Sequence, residues 1–220
     1  MRFLTTALLF CSALLLTACA TTAVYNPTTF PFEINEELLA QQSIKTVVIP
    51  HVNLGQPSRN YLEKEAGRID GVISAYLKKA GYKVIPQREF EQRWNAAERA
   101  FGNPFDPTSG KVNMRTFAQI MEQVRDQMRD QHKLDAFVFT DLLEIEVPFN
   151  GGLKHLARWD GVTRKPSLQG PGNAVPADFD WNQGVAVASL QISIFDKDLQ
   201  RVFFSRGGLE ATEAIDTRSA

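Results

Sequence analysis

The chain has 220 residues, a formal net charge of −1 and two cysteines, Cys11 and Cys19. The balance of 24 basic and 25 acidic side chains gives neither an electrostatic footprint for nucleic acid nor a polybasic patch for a membrane surface. Because both cysteines lie near the N-terminus, the rest of the chain has no disulfide, free thiol or thiolate metal site. A chain of this length can bury a core without such cross-links.

Residues 1–18 have the proportions of a signal peptide. Arg2 supplies a positive charge, and residues 3–18 are uncharged and mostly apolar. This run is short for a transmembrane helix, which needs about 20 apolar residues. Loss of Arg2 with the leader would leave 23 basic and 25 acidic side chains, a net charge of −2.

The leader ends in Leu16-Thr17-Ala18-Cys19, which resembles the lipobox of bacterial lipoproteins. The resemblance implies cleavage before Cys19 and acylation of its thiol, so that the mature chain is anchored in a membrane. Enterobacterial lipoproteins with Asp after the cysteine stay at the inner membrane. Ala20 and Thr21 stand here, which implies the outer membrane and a periplasmic domain. The alternative is a secreted protein whose leader happens to contain cysteines.

Residues 19–42 are predicted to be the lipidated cysteine and a tether, because residues 20–31 are rich in Thr, Ala and Pro. Residues 35–42 are predicted to form one short helix within it. The folded part is predicted to span residues 43–220 as a single domain.

The first elements of this domain are predicted to be a strand, a helix and a second strand. Residues 44–50 and 82–86 are β-branched runs stopped by proline. The helix between them, capped by Ser58, places apolar residues on one face: Leu62, Ala66, Ile69, Val72, Ile73, Tyr76, Leu77 and Ala80. A short crossover of this kind is right-handed, so the two strands should be parallel.

The remaining elements complete an α/β fold with a mixed β-sheet and about three packed helices. Helices are predicted over residues 88–101 and after Asn113, and strands over 136–147, 185–195 and 201–205. The strand over 185–195 is expected to face the core through its even-numbered residues: Ala186, Ala188, Leu190, Ile192 and Ile194. Ser189, Gln191 and Ser193 are expected on the opposite face.

The order of these segments resembles a known family of envelope domains. The segments are GYKVIPQREFEQRW (81–94), LDAFVFTDLLEIE (134–146) and VASLQISIFDKDLQRVFFS (187–205). The family comprises the curli secretion channel lipoprotein, the outer-membrane lipoprotein activators of penicillin-binding proteins, and the N-terminal domain of the Tol-Pal propeller protein. The resemblance implies the same fold and no catalytic set. This chain departs from the pattern in having His51 where Phe is usual. The family normally closes with a further helix, and the sequence ends at Ala220, so that either the chain is a fragment or this helix is absent.

Candidate chemistry is sparse. His51 follows the first strand, at the end of a sheet where ligands often bind. His132 falls at a helix end, where a cation favours the helix dipole. Asp141, Glu144 and Glu146 lie along one strand, where paired carboxylates could act as acid and base, and the alternative is that they are water-facing residues of the sheet. Since the histidines lack metal-ligand spacing and phosphate-loop motifs are absent from the sequence, no metal or cofactor is predicted.

Residues 148–183 form a segment too long for a routine hairpin loop. Arg158, Trp159, Phe179 and Trp181 within it are residue types that dominate protein interfaces. They are candidate partner-binding residues, and the alternative is that the tryptophans pack onto the sheet as core.

Three functions therefore stand as hypotheses. The first is a non-enzymatic, lipid-anchored docking subunit whose partner is a protein of a cell-wall or secretion machine. The second is a periplasmic lipoprotein that binds a small ligand or glycan near His51. The third is an enzyme of an unrecognised class.

Overall fold

A computed structural model describes residues 24–25, 30–55, 63–148, 156–165, 168–169, 184–212 and 215–216. The predictions for Cys19, Phe179 and Trp181 lie outside these residues, as does the predicted cap at Ser58. No helix within the described ranges is long and apolar enough to cross a membrane.

The strands of the described chain are β1 Val24–Tyr25, β2 Phe32–Ile34, β3 Thr46–Val48, β4 Lys83–Ile85, β5 Ala136–Pro148, β6 Ala157–Trp159, β7 Val162–Arg164, β8 Leu168–Gln169, β9 Gly184–Asp196, β10 Arg201–Ala211 and β11 Ile215–Asp216. The helices are α1 Glu36–Ala40, α2 Glu63–Lys79, α3 Gln87–Phe101 and α4 Met114–His132. The predicted N-cap of α4 is confirmed, because the Asn113 side chain accepts a hydrogen bond from the Thr116 N–H.

Six strands form one mixed sheet in the order β2-β10-β9-β5-β3-β4. The strands β4, β3 and β5 are parallel, and β5, β9, β10 and β2 are antiparallel. The predicted α/β fold with a mixed sheet is therefore confirmed. The three long helices contribute buried or half-buried side chains to the core, whereas α1 buries none.

The two faces of the sheet carry different helices because neighbouring strand residues point to opposite sides. Val48 and Phe137 face α3 and α4, where buried residues include Phe90, Ile120 and Val124. Val47 and Ala136 face α2 on the other side, through Ile73 and Leu77. A third cluster lies under the hairpin formed by β6 and β7. It includes Val147, at the C-terminal end of β5, and Val185 and Val187, at the N-terminal end of β9.

The prediction for the faces of β9 was wrong over its first half. Val185, Val187 and Ser189 are buried there, whereas Ala186, Ala188 and Leu190 are half-exposed. The β6–β7 hairpin covers the odd-numbered face, and it lies far away in sequence, so strand alternation alone could not reveal it. In the second half, Ile192 and Ile194 pack toward the core formed with α2, and Ser193 on the other face is also buried.

The predicted tether was also too long. Within residues 19–42, β1 pairs with β7 and β2 pairs with β10, whereas the short helix predicted over residues 35–42 is confirmed as α1. These short segments have few local signals and are held by partners that lie more than a hundred residues away.

The apolar face predicted for α2 was too wide. Ala66 is buried and Ile73 and Leu77 contact the core, whereas Val72 and Tyr76 are exposed. At 3.6 residues per turn, these two lie roughly 100° around the helix from the contact stripe.

Candidate functional site

His51, the candidate ligand residue, pairs with an aspartate from α2. His51 Nδ1 lies 2.7 Å from Asp70 Oδ2. Because an ionised carboxylate can only accept a hydrogen bond, Nδ1 carries the proton and donates it to Asp70. The Val52 N–H also points to that oxygen, at 3.4 Å. Asp70 is buried, whereas His51 is about one-third exposed. The carboxylate therefore fixes an imidazole at the end of β3, and such a pair can hold a hydrogen-bonding ligand or move a proton.

The chain beyond His51 is held against β5. The Asn53 N–H donates to the Thr140 carbonyl at 2.8 Å, and the Leu142 N–H donates to the Asn53 carbonyl at 2.8 Å. The Asn53 side-chain amide donates to Asp141 Oδ1, also over 2.8 Å. Asp141 thus holds the backbone that carries His51, rather than simply lining a water-facing strand.

Asp70 is the site residue that the sequence reasoning missed. The sequence feature that could have revealed it is its position, since Asp70 is a charged residue between Ala66 and Ile73 on the apolar stripe of the predicted helix α2. A carboxylate at such a position needs a hydrogen-bonding partner when it is buried. Within the described residues, no three His, Cys, Asp or Glu side chains come together as a metal-binding group.

His132 lies in a separate cluster that joins α3 to α4. Its Nε2 is 3.0 Å from Arg93 Nη2 and 3.3 Å from Glu89 Oε2. Arg93 Nη1 donates to Glu89 Oε2 over 3.1 Å, and Nη2 contacts the side-chain oxygen of Gln131. The hydrogen bond from Arg93 holds the pKa of the Glu89 carboxyl below its ordinary 4.5, against the opposing effect of burial.

Glu89 should therefore stabilise the fold in a pH-dependent way. A lowered pKa contributes stability that is present above pH 4.5 and is lost as the pH falls through the folded-state pKa. We expect the stability advantage of the natural chain over Glu89→Gln to shrink as the pH is lowered. Urea unfolding from about pH 7 to about pH 3 measures this difference. Glu91→Gln, at an exposed position on the same helix, is the control, and equal pH slopes for both variants would contradict the prediction.

The candidate interface residues Arg158 and Trp159 lie on β6, and the structure separates them. Trp159 is 5% exposed and packs with Val162, Val185 and Val187. Its Nε1–H donates to the Ala188 carbonyl over 3.1 Å. Arg158 is exposed. The indole therefore presents little surface to a partner, and Arg158 remains accessible.

The turn of this hairpin contains a buried carboxylate. Asp160 Oδ2 accepts from Ser189 Oγ over 2.6 Å and lies 2.8 Å from Arg206 Nε. The Asp160 carbonyl accepts from the Gly208 N–H, also over 2.8 Å. These contacts hold the hairpin on β9 and β10, and they explain why Ser189 is buried.

The strand β2 forms an open edge of the six-stranded sheet, which the sequence reasoning placed in the tether. It pairs with β10 and has no described strand on its other side. Phe32 and Ile34, which lie on one face, are 62% and 46% exposed. Exposed apolar residues on a sheet edge mark a site where another strand can pair.

The backbone of β2 is oriented for such pairing. The Asn35 N–H donates to the Val202 carbonyl over 3.0 Å, and the Arg206 N–H donates to the Pro31 carbonyl over 3.1 Å. Alternate residues of an antiparallel strand bond to the same neighbour. The two exposed residues of β2 therefore direct their N–H and C=O groups away from β10, toward the open edge.

A shallow pocket of about 420 Å³ adjoins this edge. Its lining includes the carboxylates of Glu33, Glu36 and Glu37 and one guanidinium, that of Arg201. Arg201 Nη2 lies 2.6 Å from Glu33 Oε2. The excess of carboxylates favours a basic group on whatever binds there.

Comparison of the sequence with models of protein families and with curated proteins gives no match.

Proposed function

We propose that this chain is a lipoprotein anchored in the outer membrane through Cys19, and that its α/β domain is a non-enzymatic docking subunit in the periplasm. Its partner is a protein of a cell-envelope machine, in cell-wall synthesis or secretion. The lipobox at residues 16–19 supports the anchor. The resemblance of residues 44–205 to envelope lipoprotein domains supports a role in cell-wall synthesis or secretion.

The open edge of β2 is the observation that carries the docking proposal. An extended partner segment would add to the sheet beside Phe32 and Ile34 through main-chain hydrogen bonds, and its alternate side chains would give specificity. The acidic pocket favours a segment with an apolar residue for the edge and a Lys or Arg for the carboxylates.

Proline at position 34 tests this mode of binding. The Ile34 N–H points to the open edge, so Ile34→Pro removes an outward donor without breaking the bonds to β10. We expect Ile34→Pro to abolish capture of the partner by a photo-crosslinking residue placed at position 32 in intact cells. Ile34→Thr, which keeps the N–H, should retain capture.

The crosslinking experiment has a matched control position. Tyr76 on α2 is also strongly exposed, at 71%, and a crosslinker there should not capture the same protein. Both variants must reach the outer membrane with unchanged melting temperatures. Equal capture by the proline and threonine variants would overturn docking through this edge.

A second candidate is the binding of a small ligand or glycan at His51. The observation that favours it is the buried Asp70 carboxylate, which fixes the imidazole at the carboxyl end of a parallel strand. A soluble peptidoglycan fragment should then raise the melting temperature of the natural chain, and His51→Ala should abolish that rise. His132→Ala is the control, and an unchanged rise in the His51 variant would reject the site.

A further inference from the structure

The β1 strand ties the start of the mature chain to the β6–β7 hairpin. Val24 pairs with Thr163 and Tyr25 pairs with Val162, so that β1, β7 and β6 form a small antiparallel sheet. Four residues lie between Cys19 and Val24. Fully extended, the five Cα–Cα steps from Cys19 to Val24 span at most about 18 Å. An acyl anchor on Cys19 would therefore keep the hairpin close to the lipid surface.

The antiparallel pairing also gives the direction of the anchor. Because β1 and β7 are antiparallel, going backward along β1 from Tyr25 to Val24 is going forward along β7 from Val162 to Thr163. At Val24, the direction toward Cys19 is therefore the direction in which β7 continues to Lys165. With Cys19 acylated, the end of β7 that carries Arg164 and Lys165 would be the end nearer to the lipid.

This part of the hairpin is basic although the whole chain is slightly acidic. Arg158 lies across from Thr163, and both Arg158 and Lys165 are exposed. No carboxylate of the described part of the chain pairs with either of them. Two acidic groups nearby are already occupied, since Glu210 pairs with Arg164 and Asp160 is buried beside Arg206. Basic side chains at a membrane surface are attracted to anionic headgroups.

We propose that the β6–β7 hairpin is the membrane-facing side of the domain, with Arg158 and Lys165 on anionic phospholipid headgroups. This inference rests on the proposed acylation of Cys19. The domain would then sit on the bilayer with its hairpin down, rather than swing on a long tether.

The mature chain suits a labelling test because acylation of Cys19 would leave it without a thiol. A donor fluorophore on Thr163→Cys, which leaves both Arg158 and Lys165 in place, is compared with the same donor on Lys45→Cys. The Lys45 N–H donates to Asp135, next to the start of β5, whereas the hairpin packs near Val147. At about 3.3 Å per residue, these ends of β5 are about 36 Å apart. The lipidated chain is reconstituted in vesicles of phosphatidylcholine and phosphatidylglycerol with a headgroup-labelled acceptor.

We expect strong energy transfer from position 163 and weak transfer from position 45. Arg158→Glu, or vesicles of phosphatidylcholine alone, should lower the transfer from position 163. A Gly-Ser insertion after Thr21, before β1, should also lower it. The same insertion after Pro27, beyond β1, should leave it unchanged, because β1 still holds the anchor at the hairpin.

The outcomes distinguish this inference from the proposed function. Equal transfer from both positions with an acylated Cys19, or equal effects of the two insertions, overturns the hairpin orientation and leaves the anchor intact. If neither Arg158→Glu nor the removal of anionic lipid lowers the energy transfer from the hairpin, the headgroup contact is overturned. Absence of acyl groups on Cys19 by mass spectrometry overturns the anchor and the inference together.

Discussion

Replacement of Trp159 by alanine is expected to lower the free energy of unfolding by about 3–5 kcal/mol. The indole is buried among Ala157, Val162, Val185 and Val187, and its Nε1–H bonds to the Ala188 carbonyl. The substitution leaves a cavity under the hairpin and a buried carbonyl without this donor. Urea unfolding, analysed for the midpoint and for an unchanged slope, measures the loss.

Trp159→Phe is the matched variant, because it keeps an aromatic ring and loses the hydrogen bond. It should cost about 1–2 kcal/mol. A loss below about 1 kcal/mol for the alanine variant would mean that the indole is not part of the core.

The expected loss of stability limits the use of Trp159→Ala as a test of docking. Reduced partner capture by Trp159→Ala would report loss of the hairpin rather than loss of a contact. Arg158→Ala is the better probe of this surface, since Arg158 is exposed beside the buried indole. Partner binding by Arg158 and Trp159 stays a prediction.

Local patterns in the sequence predicted the elements well where each element has its own signal. The prolines at residues 50 and 86 follow β3 and β4, and Asn113 caps α4. The apolar run at the start of β5 indicates a strand buried on both faces, and Val138 and Phe137 do lie in different clusters. These features depend on residues a few positions apart.

The rest depends on pairing across the chain. The position of the β6–β7 hairpin decides which face is buried in the first half of β9. The strands β1 and β2 are two and three residues long and gain stability from β7 and β10. His51 was found as a candidate from its place after β3, but its partner Asp70 lies on the neighbouring helix, 19 residues away. Such contacts leave at most a weak trace in sequence, as the charge on the apolar stripe of α2 does.

Gly208→Ala is expected to destabilise the protein by about 1–3 kcal/mol through overpacking. A Cβ at this position would lie 2.7 Å from both Trp159 Nε1 and Val162 Cγ2. The Gly208 N–H also bonds to the Asp160 carbonyl at the hairpin turn, so β10 cannot retreat without losing that bond. The neighbouring Gly207 offers the control, because its Cβ would meet nothing nearer than Phe30 at 3.8 Å. Gly207→Ala should change the stability by less than about 1 kcal/mol.

A double-mutant cycle then tests whether Trp159 is the residue that requires Gly208. In a Trp159→Ala background, the space left by the indole should accommodate the new methyl group and let Val162 move aside. Gly208→Ala should therefore cost less there than in the natural chain, with a coupling energy of about 1–2 kcal/mol. If the losses in free energy of unfolding are simply additive, the new methyl group clashes with Val162 or the backbone rather than with Trp159. The indole would then not set the distance between the hairpin and β10.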